Sequence, residues 1–238
     1  MKITLVQNAP RLNRTNLGFV LEQTRTCKSD VIVFCELALN GYLLQDKLLE
    51  DAFVVDELQP LCEASKEIDI VVGGALKIEN EFFNCALYFS KGELLNIHKK
   101  VHLPNYGMFE EARYFDSGTE FEAFTAPYGQ TALLVCEDLW HPDTVKELFY
   151  KRPKIVYVLV ASPARGFKDD SLTIQDQWYA LIKSLALHCD TKVVFVNRVG
   201  FEDGLGFWGG SCVVDNNANI LHRLPLFDEK IETVEVEI

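Results

Sequence analysis

Apolar residues recur along this chain with two periods. Short unbroken apolar runs alternate with segments whose apolar residues fall three or four apart. The first pattern marks strands covered on both faces, and the second marks amphipathic helices. Residues 2–7 read as a first strand. Residues 12–29 place Leu12, Leu17, Val20, Leu21 and Thr24 roughly on one helical face. Val31-Ile32-Val33-Phe34-Cys35 is a continuous apolar run closed by Glu36, which predicts a buried strand. A helix is expected over 53–67 and a strand over 69–76. Strands at 82–90 and 93–98 are expected to form a hairpin through Ser90-Lys91-Gly92. Further strands are expected at 131–136, 155–160 and 192–197, with helices over 143–150 and 172–189. Strands at 207–215, 219–224 and 234–238 complete the pattern. Residues 99–120 have no period and mix Pro, Tyr, Phe and charge. A loop of that length in a compact domain is usually functional. The sum predicts an α/β chain with parallel and antiparallel pairings, two stacked sheets and helices outside, forming one domain over 1–238.

Charge and composition narrow the function classes. The 238 residues carry 23 Lys and Arg against 35 Asp and Glu, a net charge of −12. That balance argues against nucleic acid as a partner, since phosphate contacts need clustered cations. It also argues against a polybasic membrane surface. No run of about 18 apolar residues exists to span a bilayer. The N-terminus lacks the apolar core of a signal peptide, so a cytoplasmic protein is expected. The seven cysteines (27, 35, 62, 85, 136, 189 and 212) include no Cys-x-x-Cys pair. Most flank apolar runs and read as buried thiols in a reducing compartment.

Two polar residues end buried strands, where α/β folds place active groups. Glu36 follows Val31–Cys35, and Cys136 follows Thr131–Val135. A carboxylate there costs several kcal/mol to bury unless paired. A lone Cys ending a strand is more often packing than nucleophile, and it becomes reactive only beside a base or cation. None of the five histidines has a Cys/His protease context. His98 and His102 have metal-pair spacing but no third ligand at suitable spacing. Lys100 lies where the strand at 93–98 gives way to the aromatic loop. Turned outward, Lys99-Lys100 is a solvated pair. Turned inward, Lys100 meets Glu36 and Cys136, and a base, a cation and a thiol converge without histidine.

Three ordered blocks carry a resemblance. They are Phe34-Cys35-Glu36-Leu37-Ala38-Leu39-Asn40-Gly41-Tyr42, Lys100-Val101-His102-Leu103-Pro104-Asn105-Tyr106-Gly107-Met108-Phe109-Glu110-Glu111-Ala112-Arg113-Tyr114-Phe115, and Leu133-Leu134-Val135-Cys136-Glu137-Asp138-Leu139-Trp140. Together they resemble the nitrilase superfamily of carbon–nitrogen hydrolases, whose mark is a Glu-Lys-Cys triad. The second and third blocks, with Ala161-Ser162-Pro163, are most similar to the glutaminase domain of glutamine-dependent NAD synthetases. The resemblance covers nearly the whole chain. It implies a four-layer αββα sandwich of two mixed β-sheets flanked by helices. The synthetase half of those enzymes has no counterpart up to Ile238. The expectation is therefore a stand-alone amidase or a detached glutaminase subunit, without NAD-synthesising activity.

The resemblance further implies Cys136 as nucleophile, Glu36 as general base and Lys100 as the cation that steadies the tetrahedral intermediate. Glu111 would hold Lys100 or a substrate, with a solvated loop carboxylate as the other reading. Tyr106, Glu137, Ser162 and Arg165 would contact the substrate. A packing Tyr and an exposed Ser and Arg in a turn are the competing accounts for three of these. Trp140 reads as core. The implied reaction is hydrolysis of a small amide through a thioester, with no cofactor and no metal. Acyl transfer to an amine, or a non-catalytic binding module, would use the same fold. The resemblance also implies a homodimer or higher homo-oligomer. Short amides, ω-amides and N-carbamoyl compounds all stay open as substrates.

Overall fold

In the computed structural model, which describes residues 1–237, the chain runs β1 (Lys2–Gln7), α1 (Asn16–Thr26), β2 (Val31–Val33), α2 (Leu48–Asp51), α3 (Gln59–Ala64), β3 (Asp69–Ile78), β4 (Glu81–Ser90), β5 (Glu93–Lys99), β6 (Phe124–Ala126), β7 (Gly129–Val135), α4 (Pro142–Lys151), β8 (Ile155–Val160), α5 (Thr173–Cys189), β9 (Lys192–Asn197), β10 (Val199–Glu202), β11 (Leu205–Trp208), β12 (Cys212–Val214), β13 (Ile220–Arg223) and β14 (Lys230–Glu235). Two mixed six-stranded sheets result, ordered β14-β1-β2-β3-β4-β5 and β13-β12-β9-β8-β7-β6. In each, three parallel strands are flanked by antiparallel ones. Helices cover the sheets, so the architecture is the expected α/β sandwich. Among the described residues no helix is long and apolar enough to cross a membrane.

β8 shows why its sequence is apolar at every position. Ile155, Tyr157 and Leu159 join the core between the sheets, with Leu133 and Val135 of β7 and Ile3, Val31 and Val71 of the other sheet. Val156, Val158 and Val160 point the other way and pack with Trp178, Ile182 and Leu185 of α5. A strand between a sheet and a helix layer has no face left for polar residues.

Several expected elements differ in extent. α1 starts at Asn16 because the Asn16 side chain bonds both Arg11 N (3.0 Å) and Arg11 O (2.6 Å), holding the preceding residues in a turn. β2 ends at Val33, two residues short of the apolar run. The helix expected over 53–67 breaks into a 3-10 turn at Val55–Leu58 and α3. Phe53 is drawn instead to β3, donating its N–H to Ala75 O at 2.9 Å and accepting from Lys77 N at 2.8 Å. The strand expected at 207–215 is cut by Gly209 and Gly210, both left-handed (φ 70° and 63°), which separate β11 from β12. β11 pairs with β10 across Asp203-Gly204, whose positive φ values (48° and 79°) make the tight turn that Asp-Gly favours. The period-2 reading passed over that hairpin and the short β6. The last strand begins at Lys230 and pairs with β1. Ile238, the end of the strand expected there, lies outside the described residues.

Candidate active site

Glu36 leaves β2 at the carboxyl end of the parallel strands, and its side chain is buried. Three donors satisfy it. Lys100 Nζ (2.8 Å) and Asn84 Nδ2 (2.8 Å) reach Oε1, and the Ala161 N–H (2.7 Å) reaches Oε2. The backbone at Glu36 can lie this deep because residue 73 is glycine. A Cβ on Gly73 would sit 2.5 Å from Cys35 O and Leu37 N and 2.7 Å from Glu36 Cα. A glycine inside a strand pattern is the sequence signal for such close backbone approach.

Lys100 turns inward from the end of β5 and is fully buried. Its Nζ donates to Glu36 Oε1 and to both Glu111 oxygens, at 2.9 and 2.7 Å. Burial favours the neutral amine, but the Glu111 and Glu36 carboxylates outweigh it and hold the pKa well above the usual lysine value. Glu111 opens the 3-10 turn Glu111–Arg113 in the aromatic loop and also accepts from Tyr42 OH at 2.7 Å. Burial raises its pKa, and Lys100 opposes the rise.

Cys136 follows β7 at the start of the 3-10 turn Cys136–Trp140, with a left-handed backbone (φ 44°). Leu37, directly after Glu36, is also left-handed (φ 50°). Such conformations cost an L-residue roughly 1–2 kcal/mol and cluster where a structure holds a functional side chain. Burial and then the Glu36 charge push the Cys136 thiol well above the ordinary value, while Lys100 and the Ala161 N–H pull it down. Burial thus favours the neutral thiol at Cys136, in the field of a carboxylate and an ammonium. The other cysteines are free as well. Burial raises Cys35 and Cys212 to about 12 and Cys189 to about 11.

The remaining expected residues divide. The exposed Tyr106 donates its OH to Glu137 (2.9 Å to Oε2), and the Arg165 cation acts on the same Tyr106 while lying over the Phe109 ring at 5.8 Å. Burial, then the Glu137 bond, raises the Tyr106 phenol to about 12. These three residues gather at one mouth of the site. Ser162 does not join them. It is buried, its N–H donates to Asn197 Oδ1 (2.9 Å), and its Oγ accepts from Trp178 Nε1 (2.9 Å). It therefore anchors the turn that carries Ala161. Trp140 packs edge-on to Trp178 at 5.4 Å. His98 and His102 diverge, since His98 Nε2 bonds Asp138 (2.8 Å) and His102 Nε2 faces Asp143 (3.1 Å).

Asn84, Tyr42 and Asp138 were not singled out from the sequence. Asp138 had a signal, because it is a third polar residue directly after an apolar strand. It is fully buried and accepts from His98 Nε2, Val101 N, His102 N and Val135 N at 2.8–3.0 Å. It thus ties the turn of Cys136 to the loop after Lys100. Burial pushes its pKa up, but the His98 bond and charge and the backbone N–H groups hold it below the usual carboxylate value. Replacing Asp138 by Asn should destabilise the protein at neutral pH by about 3 kcal/mol, because the amide N–H opposes donors it cannot accept from. A depressed folded pKa gives stability that is present above the unfolded value of about 4 and is lost as pH falls through the folded one. The gap in melting temperature between wild type and Asp138→Asn should therefore shrink in acid, measured by thermal melts at about pH 7 and about pH 3.

Comparison with known proteins adds three findings. The family model of carbon-nitrogen hydrolases matches residues 5–238. Glutamine-dependent NAD(+) synthetase of Thermotoga maritima is 30% identical over 249 residues, covering 100% of this chain and 42% of that protein. The synthetase of Acinetobacter baylyi is 31% identical, covering 100% of this chain and 44% of that one. This chain thus spans about four-tenths of the length of these relatives. Among solved structures, glutamine-dependent NAD+ synthetase from Acinetobacter baumannii superposes with a TM-score of 0.84 at 30% identity, covering 98% of this chain and 44% of that chain. An amidase of Nesterenkonia reaches a TM-score of 0.81 at 24% identity, covering 99% and 90%, and so shares the fold.

Proposed function

The chain belongs to the carbon–nitrogen hydrolase family, and from that premise we propose that it hydrolyses the ω-amide of a small amino acid through a thioester on Cys136. The observation that carries this reading is the buried Lys100 ammonium, clamped between Glu36 and Glu111 with the Cys136 thiol in the same field. A thiol that burial favours in its neutral form needs a base during attack. Glu36 takes the Sγ proton as sulfur bonds to the amide carbon. The developing oxyanion is met by Lys100 and by the backbone N–H after Cys136, donors worth about 3–4 kcal/mol each. The proton on Glu36 passes to the departing nitrogen, and the C–N bond breaks to release ammonia. Glu36 then takes a proton from water as the water oxygen attacks the thioester, and gives that proton to Sγ as the C–S bond breaks, releasing the acid and restoring the thiol. The sum is R-CO-NH2 + H2O → R-COOH + NH3. Glu111 keeps the ammonium aimed, and Tyr42 and Asn84 hold the two carboxylates.

The mouth of the site favours a zwitterionic substrate. Glu137 and Arg165 bring opposite charges to the neighbourhood of Tyr106, one through its hydrogen bond and the other from over the Phe109 ring. Glu137 suits an α-ammonium and Arg165 an α-carboxylate. The similarity to glutamine-dependent enzymes supports glutamine as the amide. Ammonia release should be compared across short aliphatic amides, N-carbamoyl compounds and L-glutamine. L-Glutamine should have the highest kcat/KM, and Arg165→Ala and Glu137→Gln should each raise its KM tenfold or more with little effect on propionamide. Preference for a short aliphatic amide, unaltered by Arg165→Ala, would sink the head-group assignment. The ammonia then serves a separate synthetase, a reading that the similarity to glutamine-dependent synthetases supports.

The oligomer belongs to the same proposal. Phe149 and Tyr150 of α4 are exposed and line a depression with Leu181, Ser184 and His188 of α5 on the helical face of the second sheet. A monomer seldom leaves such a patch in water. Two copies joined there should give twice the chain mass in light scattering, and Tyr150→Glu with Phe149→Glu should halve it.

A further inference from the structure

Beside the Glu137 mouth stands a group of side chains that the proposed reaction does not use. His102, His141 and Asp143 each offer one ligand atom, and these atoms lie within 4.8 Å of one another. The imidazoles of His102 and His141 stack with centroids 3.8 Å apart and planes 11° from parallel. His102 Nε2 lies 3.1 Å from Asp143 Oδ2. Three separate constraints hold the group together. The His102 backbone N–H is fixed by Asp138 Oδ1 at 2.9 Å. The His102 ring also packs on Phe121, with centroids 5.8 Å apart. His141 is the N-cap of α4 and Asp143 lies in its first turn, so their spacing is set by the helix start.

We propose that His102, His141 and Asp143 bind a divalent transition metal of the Zn²⁺ class. Two imidazole nitrogens and one carboxylate oxygen are a ligand set that Zn²⁺, Co²⁺ and Ni²⁺ accept, whereas Mg²⁺ and Ca²⁺ require mostly oxygen. The rings are partly open to water, with His102 and His141 side chains 22% and 43% exposed. A cation can therefore enter, and water can complete the coordination. The ligand atoms are already close, and binding turns the rings out of their stack, because an imidazole lone pair lies in the ring plane. The net charge of −12 favours approach of a cation. The bound metal joins the loop after Lys100 to the first turn of α4. It also occupies His141, whose Nε2 now lies 3.6 Å from Glu137 Oε1.

The test titrates CoCl2 and ZnCl2 into the full chain carrying Cys136→Ala, so that the candidate nucleophile cannot be the ligand. Calorimetry should give one Zn²⁺ per chain at micromolar affinity. Co²⁺ should develop the visible absorption of a four- or five-coordinate nitrogen–oxygen site, without the sulfur-to-metal charge-transfer band of a thiolate. Zn²⁺ should raise the melting temperature by mass action. His141→Asn, at a half-open surface position, should weaken binding tenfold or more while keeping the circular dichroism spectrum, and Asp143→Asn should weaken it less. Absence of saturable binding would overturn the proposal. So would binding that persists unchanged in His141→Asn, or a Co²⁺ spectrum with thiolate bands.

Discussion

Replacement of Cys136 by alanine is expected to lower ammonia release by about four orders of magnitude or more, while the melting temperature changes little. The asymmetry follows from the site. The sulfur is the only protein atom in the proposed scheme that bonds to substrate carbon, so no neighbour substitutes for it. Its removal deletes one thiol from a group whose charged members are already matched to one another. Cys136→Ser should be nearly as inactive. A hydroxyl beside Glu36 is a far weaker acid than a thiol, and the site provides no histidine to assist. Intact mass after mixing with a good amide should show an acyl adduct on wild type and none on Cys136→Ala. Turnover surviving in the alanine variant would remove the sulfur from the mechanism.

The second large effect is expected at Lys100. Lys100→Met keeps most of the volume but leaves Glu36 and Glu111 facing each other without the ammonium between them. Breaking a buried ion pair by removing one partner costs about 3–5 kcal/mol. The pH dependence has a definite sign. Burial already raises the Glu111 pKa in the wild type, against the pull of Lys100. Without Lys100 the rise is larger. A carboxyl whose folded pKa lies above its unfolded value loses stability as pH climbs from about 4 toward the folded pKa. Lys100→Met should therefore melt closest to wild type in acid and fall furthest behind it at neutral pH. Adding Glu111→Gln to Lys100→Met should restore part of the stability, since one buried charge disappears. It should restore no activity, since the oxyanion still lacks its cation. Recovery of turnover in the double variant would reduce Lys100 to a structural counter-ion.

Adjacent residues show how much of the site is legible in the sequence. Lys99 and Lys100 are identical, yet Lys99 Nζ lies 4.0 Å over the Phe83 ring while Lys100 is fully buried on two carboxylates. Glu110 and Glu111 are identical too. Glu110 pairs loosely with Arg113 at 3.7 Å on the surface, and Glu111 enters the site. Motif resemblance picked the right member of each pair for the interior, and periodicity alone does not. The same holds for Ser162. Its place after β8 is readable, but its hydroxyl is engaged by Trp178 of α5, a partner that no local pattern announces.

What the sequence determined by itself is everything that repeats with a short period or ends abruptly. Apolar runs mark the strands of both sheets, because a strand covered on two faces has no polar positions. Charged or thiol residues closing those runs mark where the candidate site gathers, because strand ends are where a buried sheet meets open space. The long aromatic loop between β5 and β6 announces itself by having no period. The tertiary structure alone decided which of these groups touch. Glu36, Asn84 and Lys100 are brought together by the pairing of β2 to β5 in one sheet, Glu111 comes in on the loop after β5, and the stacked second sheet adds the Ala161 N–H. Desolvation makes that choice strict, because a buried charge is tolerable only with its counter-charge and donors in place. The first sheet and its loop therefore settle where Lys100 meets both carboxylates, and the second sheet packs so that the Ala161 N–H reaches Glu36.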